Sequence, residues 1–395
     1  MMEAWGIEFV KGIGRLFLNP AFYWLFFLII LAGYKRIKQE RIDFGFKVFD
    51  IFSEWKHTWS VSLIAGLVIS LLSLGIGIVF SLETLFLLSI IMVFLSLTLQ
   101  FKLLSASYTI GLTVLLLLFL PFIMENQTFL AYTFQYEPNI SGLALLLGLL
   151  LVVEAIILSR IKRNESFPGL VLGNRGRWVG KHELKKLAVI PFITVIPTGL
   201  INPFATYWPY FDVGGESYSL IIFPFLLGFD YTVRGIPPQF ARSTLARYIA
   251  ILGVLVSILA VSSIYVSWLS LVAVLLAIVG KEVINFYHRV VDRRKPAYFH
   301  QHDKGVSVLA IIPNSPADRL ALLPGETIRK VNDTIVNDVQ SFYQALQAGG
   351  AAFKLEVLDD IGEVRFINSA LYEGDHHELG IIFVKERSRL KNDND

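Results

Sequence analysis

Repeated apolar runs of about 20 residues constrain this chain more than any other feature of its sequence, because a helix of roughly that length crosses a hydrocarbon core about 30 Å thick. Five such runs come early, at residues 16–34, 60–82, 84–101, 108–123 and 140–159. Two more, 187–204 and 219–231, flank a polar loop. The stretch 248–280 is too long for one crossing and suits two short ones turning near Ser262 and Ser263. This spacing predicts about nine helices within residues 1–295, or seven if 187–231 dips in as re-entrant segments. Composition agrees, with 54% hydrophobic and 17% charged residues and a mean hydropathy of +0.60. Soluble domains carry roughly 25% charge. A whole-chain soluble fold and intrinsic disorder are excluded. The absence of Cys removes disulfides, thiolate metal sites and Cys nucleophiles.

Most of the 35 Lys and Arg residues fall in the loops 35–57, 160–186, 234–247 and 281–295. Segments 124–139 and 205–218 hold none and carry Glu125, Glu137, Asp212 and Glu216. By the positive-inside rule the basic loops and the C-terminus are cytoplasmic and the N-terminus is outside. Trp5, Phe9 and Ile13 recur at helical spacing, which predicts a short interfacial helix before the first crossing. No cleaved leader is expected, since the first run is span-length and its positive cluster follows it. A net charge of +3 is too small to argue for nucleic acid.

Catalysis has no visible home. Intramembrane charge marks transport or proton chemistry. Here Glu83 and Glu154 read as interfacial, without a basic partner at matching depth. A zinc protease needs H-E-x-x-H on one helix face, but His182-Glu183 is followed by Lys186 where the second ligand would stand. His300, His302 and Asp303 form only a loose cluster, and neither a nucleophile elbow within a span nor a phosphate loop is present. No cofactor or metal is expected.

After Lys295 the character changes. Residues 296–395 hold 10 Lys and Arg against 15 Asp and Glu, enough chain for one small core. Strands are expected at 306–312, 327–331, 353–358, 364–370 and 379–384, separated by turn signals. Ser315-Pro316 opens a short helix, and a second, 339–348, follows Asp338 and ends at Gly349-Gly350. The Ser-Pro-Ala turn and the box Gly325, Glu326, Ile328, Val331, Asn332 and Asp333 resemble a bacterial PDZ domain. Leu320-Ala321-Leu322-Leu323 departs from that pattern.

The fold expected is a polytopic α-helical membrane domain, 1–295, read from the apolar runs, followed by what the resemblance implies is a small α+β PDZ domain of the circularly permuted bacterial type, 296–386, and then a polar tail, 387–395. The resemblance implies a peptide groove with Leu379, Gly380, Ile381, Ile382 and Phe383 as the strand and Val339, Phe342, Tyr343 and Leu346 as the helix wall. The alternative is that Phe342 and Leu346 are core. His376 and Glu378 stand beside the loop that would catch a ligand carboxylate.

The combination of a multispan region, the basic KRIKQER after the first span and one C-terminal permuted PDZ domain is similar to the MinJ family of division-site proteins of the Bacilli. That similarity implies a non-enzymatic adaptor of the cell membrane, enriched at septum and poles. It implies that the protein links DivIVA to the MinC–MinD inhibitor, with DivIVA and MinD contacted through the groove; the spans themselves partner membrane lipid. Self-association stays open. A PDZ-bearing regulator of intramembrane proteolysis and a transporter with an accessory PDZ domain are the alternatives.

Overall fold

A computed structural model describes residues 2–124, 137–173, 176–205, 207–301, 305–350, 352–370 and 379–385. The helices are α1 (Met2–Leu18), α2 (Pro20–Phe44), α3 (Trp59–Ile76), α4 (Leu82–Ser96), α5 (Ala106–Met124), α6 (Ile140–Ser159), α7 (Pro238–Ser262) and α8 (Leu269–Arg294). Their ends follow local chemistry. Asn19 caps α2 by accepting from the Ala21 N–H at 2.9 Å, with Pro20 at the first position, where a missing N–H costs nothing. Asn139 caps α6 in the same way through the Gly142 N–H at 2.7 Å. Among the described residues, α2, α3, α6, α7 and α8 are long and apolar enough to cross a membrane, and two shorter apolar helices, Leu82–Ser96 and Ala106–Phe119, accompany them. The apolar window of α6 is 72% buried, against 39% or less in the other four, so α6 is the axis of the bundle.

The reading of residues 187–231 as helices or re-entrant segments is corrected. This segment is a long β-hairpin, β2 (Trp178–Ile201) and β3 (Tyr218–Val233), with β1 (Phe167–Leu172) on the other edge of β2. Pairing from His182–Val233 to Pro197–Tyr218 spans on the order of 50 Å at about 3.3 Å per residue, longer than the hydrocarbon core. Open sheet edges are not tolerated in lipid; they must be covered by protein. Here both edges are covered. Pro191 faces Pro224, so at that pair neither strand has an outward N–H to orphan. The outward N–H of Leu187 donates to the Glu54 carbonyl at 3.0 Å, and that of Ile193 to Ser70 Oγ of α3 at 2.8 Å. The Val195 carbonyl accepts from the Phe80 N–H, and the Leu220 carbonyl from Arg15 of α1 at 2.7 Å. Gly66 lets α3 lie directly on the Pro191 carbonyl, where a Cβ would collide. The expected interfacial helix is therefore the lid of β3: Glu8, Gly12 and Arg15 of α1 face the hairpin, while Phe9 and Ile13 stay exposed.

The C-terminal domain is α+β. Its strands are β4 (Val306–Ile311), β5 (Thr327–Val331), β6 (Thr334–Ile335), β7 (Ala352–Leu358), β8 (Val364–Ala370) and β9 (Ile381–Phe383). They pair antiparallel in the order β8-β7-β5-β4-β9, with β6 on β5. Two helices, α9 (Pro316–Arg319) and α10 (Val339–Ala348), complete it, and Asp338 caps α10 through the Ser341 N–H at 2.7 Å. One core holds Val308, Ile328, Val331, Phe342, Leu346, Leu355 and Phe383.

This domain is docked on the basic end of the bundle. Leu309, Ala310, Ile382 and Val384 pack into a cluster with Phe44, Val48, Phe49, Phe167, Leu170 and Phe299. His182 of β2 bridges the contact through Ser166 Oγ at 2.8 Å and the Leu309 carbonyl at 2.9 Å. Asp360 accepts from Arg163 at 2.6 Å, Tyr298 at 2.8 Å and Gln239 at 2.9 Å.

Candidate functional site

Strand β9 ends its sheet. One edge pairs with β4, and among the described residues no strand pairs with the other. Leu379 (φ 45°) and Gly380 (φ 80°) turn the chain into this strand in the left-handed region. Gly380 has no alternative here, since a Cβ would run into the Ser315 side chain. The Gly380 carbonyl accepts from the Ile312 N–H at 2.9 Å and the Leu379 carbonyl from the Ala317 N–H at 2.8 Å, which locks the turn onto α9.

Helix α10 stands beside this edge. The Phe342 and Phe383 rings lie 5.1 Å apart, and Tyr343 reaches Phe383 at 6.3 Å. Strand and helix wall are thus brought together, with different roles for their side chains. Phe342 and Leu346 are fully buried core, as the alternative reading had it, and Ile381 and Phe383 point into the same core. Ile382 points the opposite way, into the cluster shared with the bundle. Val339 and Tyr343 are half-buried and form the accessible wall. Gly374, Asp375, His376, His377 and Glu378 lie outside the described residues, as do His302 and Asp303.

Two polar centres in the bundle were not legible as such. Glu154, read as interfacial and unpartnered, is fully buried on α6; it pairs with Lys281 of α8 and accepts from Ser105 Oγ at 2.6 Å. Lys281 lies against the Tyr231 ring, 5.5 Å from its centroid. Lys281 is a helix residue and not a loop charge, because α8 runs on to Arg294. The signal was present: Lys281, Asn285 and His288 repeat at helical spacing beyond the apolar stretch. Arg36, counted as a topology signal, is buried between Glu40 at 2.5 Å and Glu54 at 2.8 Å, with its guanidinium 4.8 Å from the Phe167 ring. His182 sits on a strand with both ring nitrogens engaged, so the near-match to a zinc motif has no helical counterpart. Among the described residues no group of three or more His, Asp and Glu could hold a metal.

No family model matches the chain. It is 35% identical over 387 residues, 98% of its length and 97% of the relative's, to the cell division topological determinant MinJ of Bacillus subtilis (strain 168). The chain belongs to the MinJ family. The probable cell division topological determinants MinJ of Lacticaseibacillus paracasei and Lacticaseibacillus casei (strain BD-II) are each 27% identical over 255 residues, covering 64% of this chain and 68% of theirs. Membership in the MinJ family carries a role in cell division. The similarity to the Bacillus protein runs through both the helical bundle and the docked α+β domain, so the two halves belong to one unit within the MinJ family.

Proposed function

We propose that this chain is a non-enzymatic membrane scaffold. Its α+β domain acts as a permuted PDZ module that recruits division proteins and so helps place the septum. The observation that carries this reading is the edge of β9 that no strand pairs among the described residues, beside α10 and entered through the left-handed Leu379-Gly380 turn. An extended peptide adds to such an edge as a further strand; main-chain hydrogen bonds give affinity and pockets for alternate side chains give specificity. Val339 and Tyr343 line that path, and DivIVA and MinD are the partners the family resemblance suggests. The end of the bundle carrying Arg36, Lys186, Arg234 and Arg293 faces the cytoplasm in this reading, which puts the domain where such partners are.

Because Phe342 is core, the informative positions are the half-buried ones. A photo-crosslinking residue in place of Tyr343, introduced into the full chain in living cells, is expected to capture division proteins. The same residue in place of the exposed Phe366, on the far edge strand β8, is expected to capture none. Equal adducts from both positions, or none from Tyr343, overturn the groove assignment.

A further inference from the structure

Two adjacent cavities open at the basic end of the bundle, where α8 outruns its apolar stretch. The first, of about 440 Å³, lies between α8, the end of β3 and the turn at Lys102. The second, of about 430 Å³, lies between α8, β2 and the segment leading into the α+β domain. Arg234 and Arg293 line both. The second holds Arg177, Arg294 and Lys295 as well and no carboxylate.

The charges in the first cavity do not cancel locally. Its three acids are Asp230, Glu282 and Asp292. Asp292 is occupied by the backbone N–H groups of Arg234, Gly235 and Ile236, at 2.8 to 3.1 Å, and Glu282 accepts from Tyr108 Oη at 2.6 Å. Lys181 is paired with Glu183. The third acid, Asp230, lies in the field of Lys185, Lys181 and Lys102. Among the described residues, Arg234, Arg289 and Arg293 form no ion pair. Arg234 Nε is in addition a buried donor with no acceptor, the kind of orphan that native structures reserve for a ligand, ion or water. Cations placed only to set topology would be splayed into solvent; these converge on two clefts.

The surroundings say what kind of anion fits. On the same helix and at the same level, Val283, Phe286 and Tyr287 are exposed to the outside, and Tyr287 stacks edge-on with Tyr248 at 6.3 Å. Apolar and aromatic side chains exposed at the end of a spanning helix mark the lipid interface. The cavities therefore sit beside the head groups rather than out in water.

The geometry points to a binding site for phosphate groups of an anionic phospholipid, with Arg234 and Arg293 shared between two phosphates of one head group. Basic pockets between membrane helices bind such head groups, and the planar guanidinium pairs bidentately with phosphate. This site is separate from the groove at β9 and stands or falls without it.

The test uses the full chain in nanodiscs and native mass spectrometry of retained lipid. In a phosphatidylcholine background, a diphosphate lipid (cardiolipin) is expected to be retained over phosphatidylglycerol at equal total charge. The double variant Arg234→Gln/Arg293→Gln is expected to lose at least tenfold of that retention. Lys35→Gln/Arg247→Gln, which removes two exposed cations outside the cavities, is expected to stay within twofold. Equal loss in both variants reduces the effect to net charge and overturns the site. Displacement of the lipid by millimolar inorganic phosphate assigns the cavities to a soluble phosphate instead and also overturns it. Should the cavity variant fail to fold, the wild-type chain decides alone: cardiolipin is expected to raise its melting temperature more than phosphatidylglycerol, and no difference refutes the assignment.

Discussion

Lys281→Met gives the sharpest test of how the bundle is held together. It leaves the Glu154 carboxylate at the axis of the helices without its cation, accepting from the neutral Ser105 Oγ. Removing one member of a buried pair typically costs about 3–5 kcal/mol, because the survivor is an uncompensated charge in a medium that cannot solvate it. Replacing both members by apolar side chains of similar volume is often neutral or stabilising, since the desolvation of two ions disappears with their attraction. The single variant should therefore melt on the order of 10 °C below the parent, at roughly 2–4 °C per kcal/mol for a domain of this size. Glu154→Leu/Lys281→Met should recover most of that loss. The assay is thermal unfolding of the purified full chain in one detergent, followed by intrinsic fluorescence, for parent, both single variants and the double. If the double variant melts as low as Lys281→Met, the pair is not a self-contained neutralising unit and the reasoning fails. If it melts near the parent yet loses its division phenotype, the charges serve a purpose beyond packing.

Burial holds the His182 imidazole down at about 4 against an ordinary 6.5, so the docked form binds fewer protons than the open form between those pH values. Docking should thus weaken as pH falls from about 6.5, by up to about 1.4 kcal/mol per unit, and level off below about 4; hydrogen exchange of residues 306–311 against pH measures this, and a slope that survives His182→Gln would assign it elsewhere. Asp360→Ala removes the acceptor shared by Arg163, Gln239 and Tyr298, all at least partly exposed, and should loosen the same contact by about 1–2 kcal/mol; an unchanged rate of proteolysis between residues 296 and 301 would show that the hydrophobic cluster alone suffices.

Much of the α+β domain was legible because its elements are short, alternating and punctuated. Gly349-Gly350 ends α10, Ser315-Pro316 opens α9, and the strands expected at 327–331 and 364–370 fall on β5 and β8. Helices such as α3 and α6 follow from length and hydropathy. The hairpin was not legible, for a physical reason. Strands buried on both faces lose their alternation and read as continuous apolar runs, which periodicity cannot separate from a buried helix. The prolines at 191, 197 and 224 interrupt a helix and a ladder alike, so their presence alone does not separate the two. Their positions carried the answer: Pro191 and Pro224 stand opposite each other at a pair whose N–H groups would point into the bundle. The partner of Glu154 was missed for a different reason. Lys281 lies 127 residues away, and nothing local announces that α6 and α8 place the two side chains together.

The docking of the α+β domain narrows what its free edge can do. Successive side chains of β9 point to opposite faces, and both faces are already filled. Ile381 and Phe383 are held by α10 and the domain core, and Ile382 by Phe44, Phe49 and Phe167 of the bundle. On the proposed reading, an added peptide draws its register from the main chain of β9 and its specificity from Val339 and Tyr343. It cannot displace β9 without opening the contact to the membrane domain. Arg36 extends that constraint inward, since its guanidinium lies over Phe167 while its hydrogen bonds reach Glu40, Glu54 and the backbone of residues 49 and 50. One continuous run of packed and charge-assisted contacts joins α2 to the face of β9. Packed contacts of this kind have few alternative arrangements, so the edge of β9 is held at a fixed angle to the bundle instead of on a swinging tether. Geometry of that sort suits a protein whose task is to mark a place.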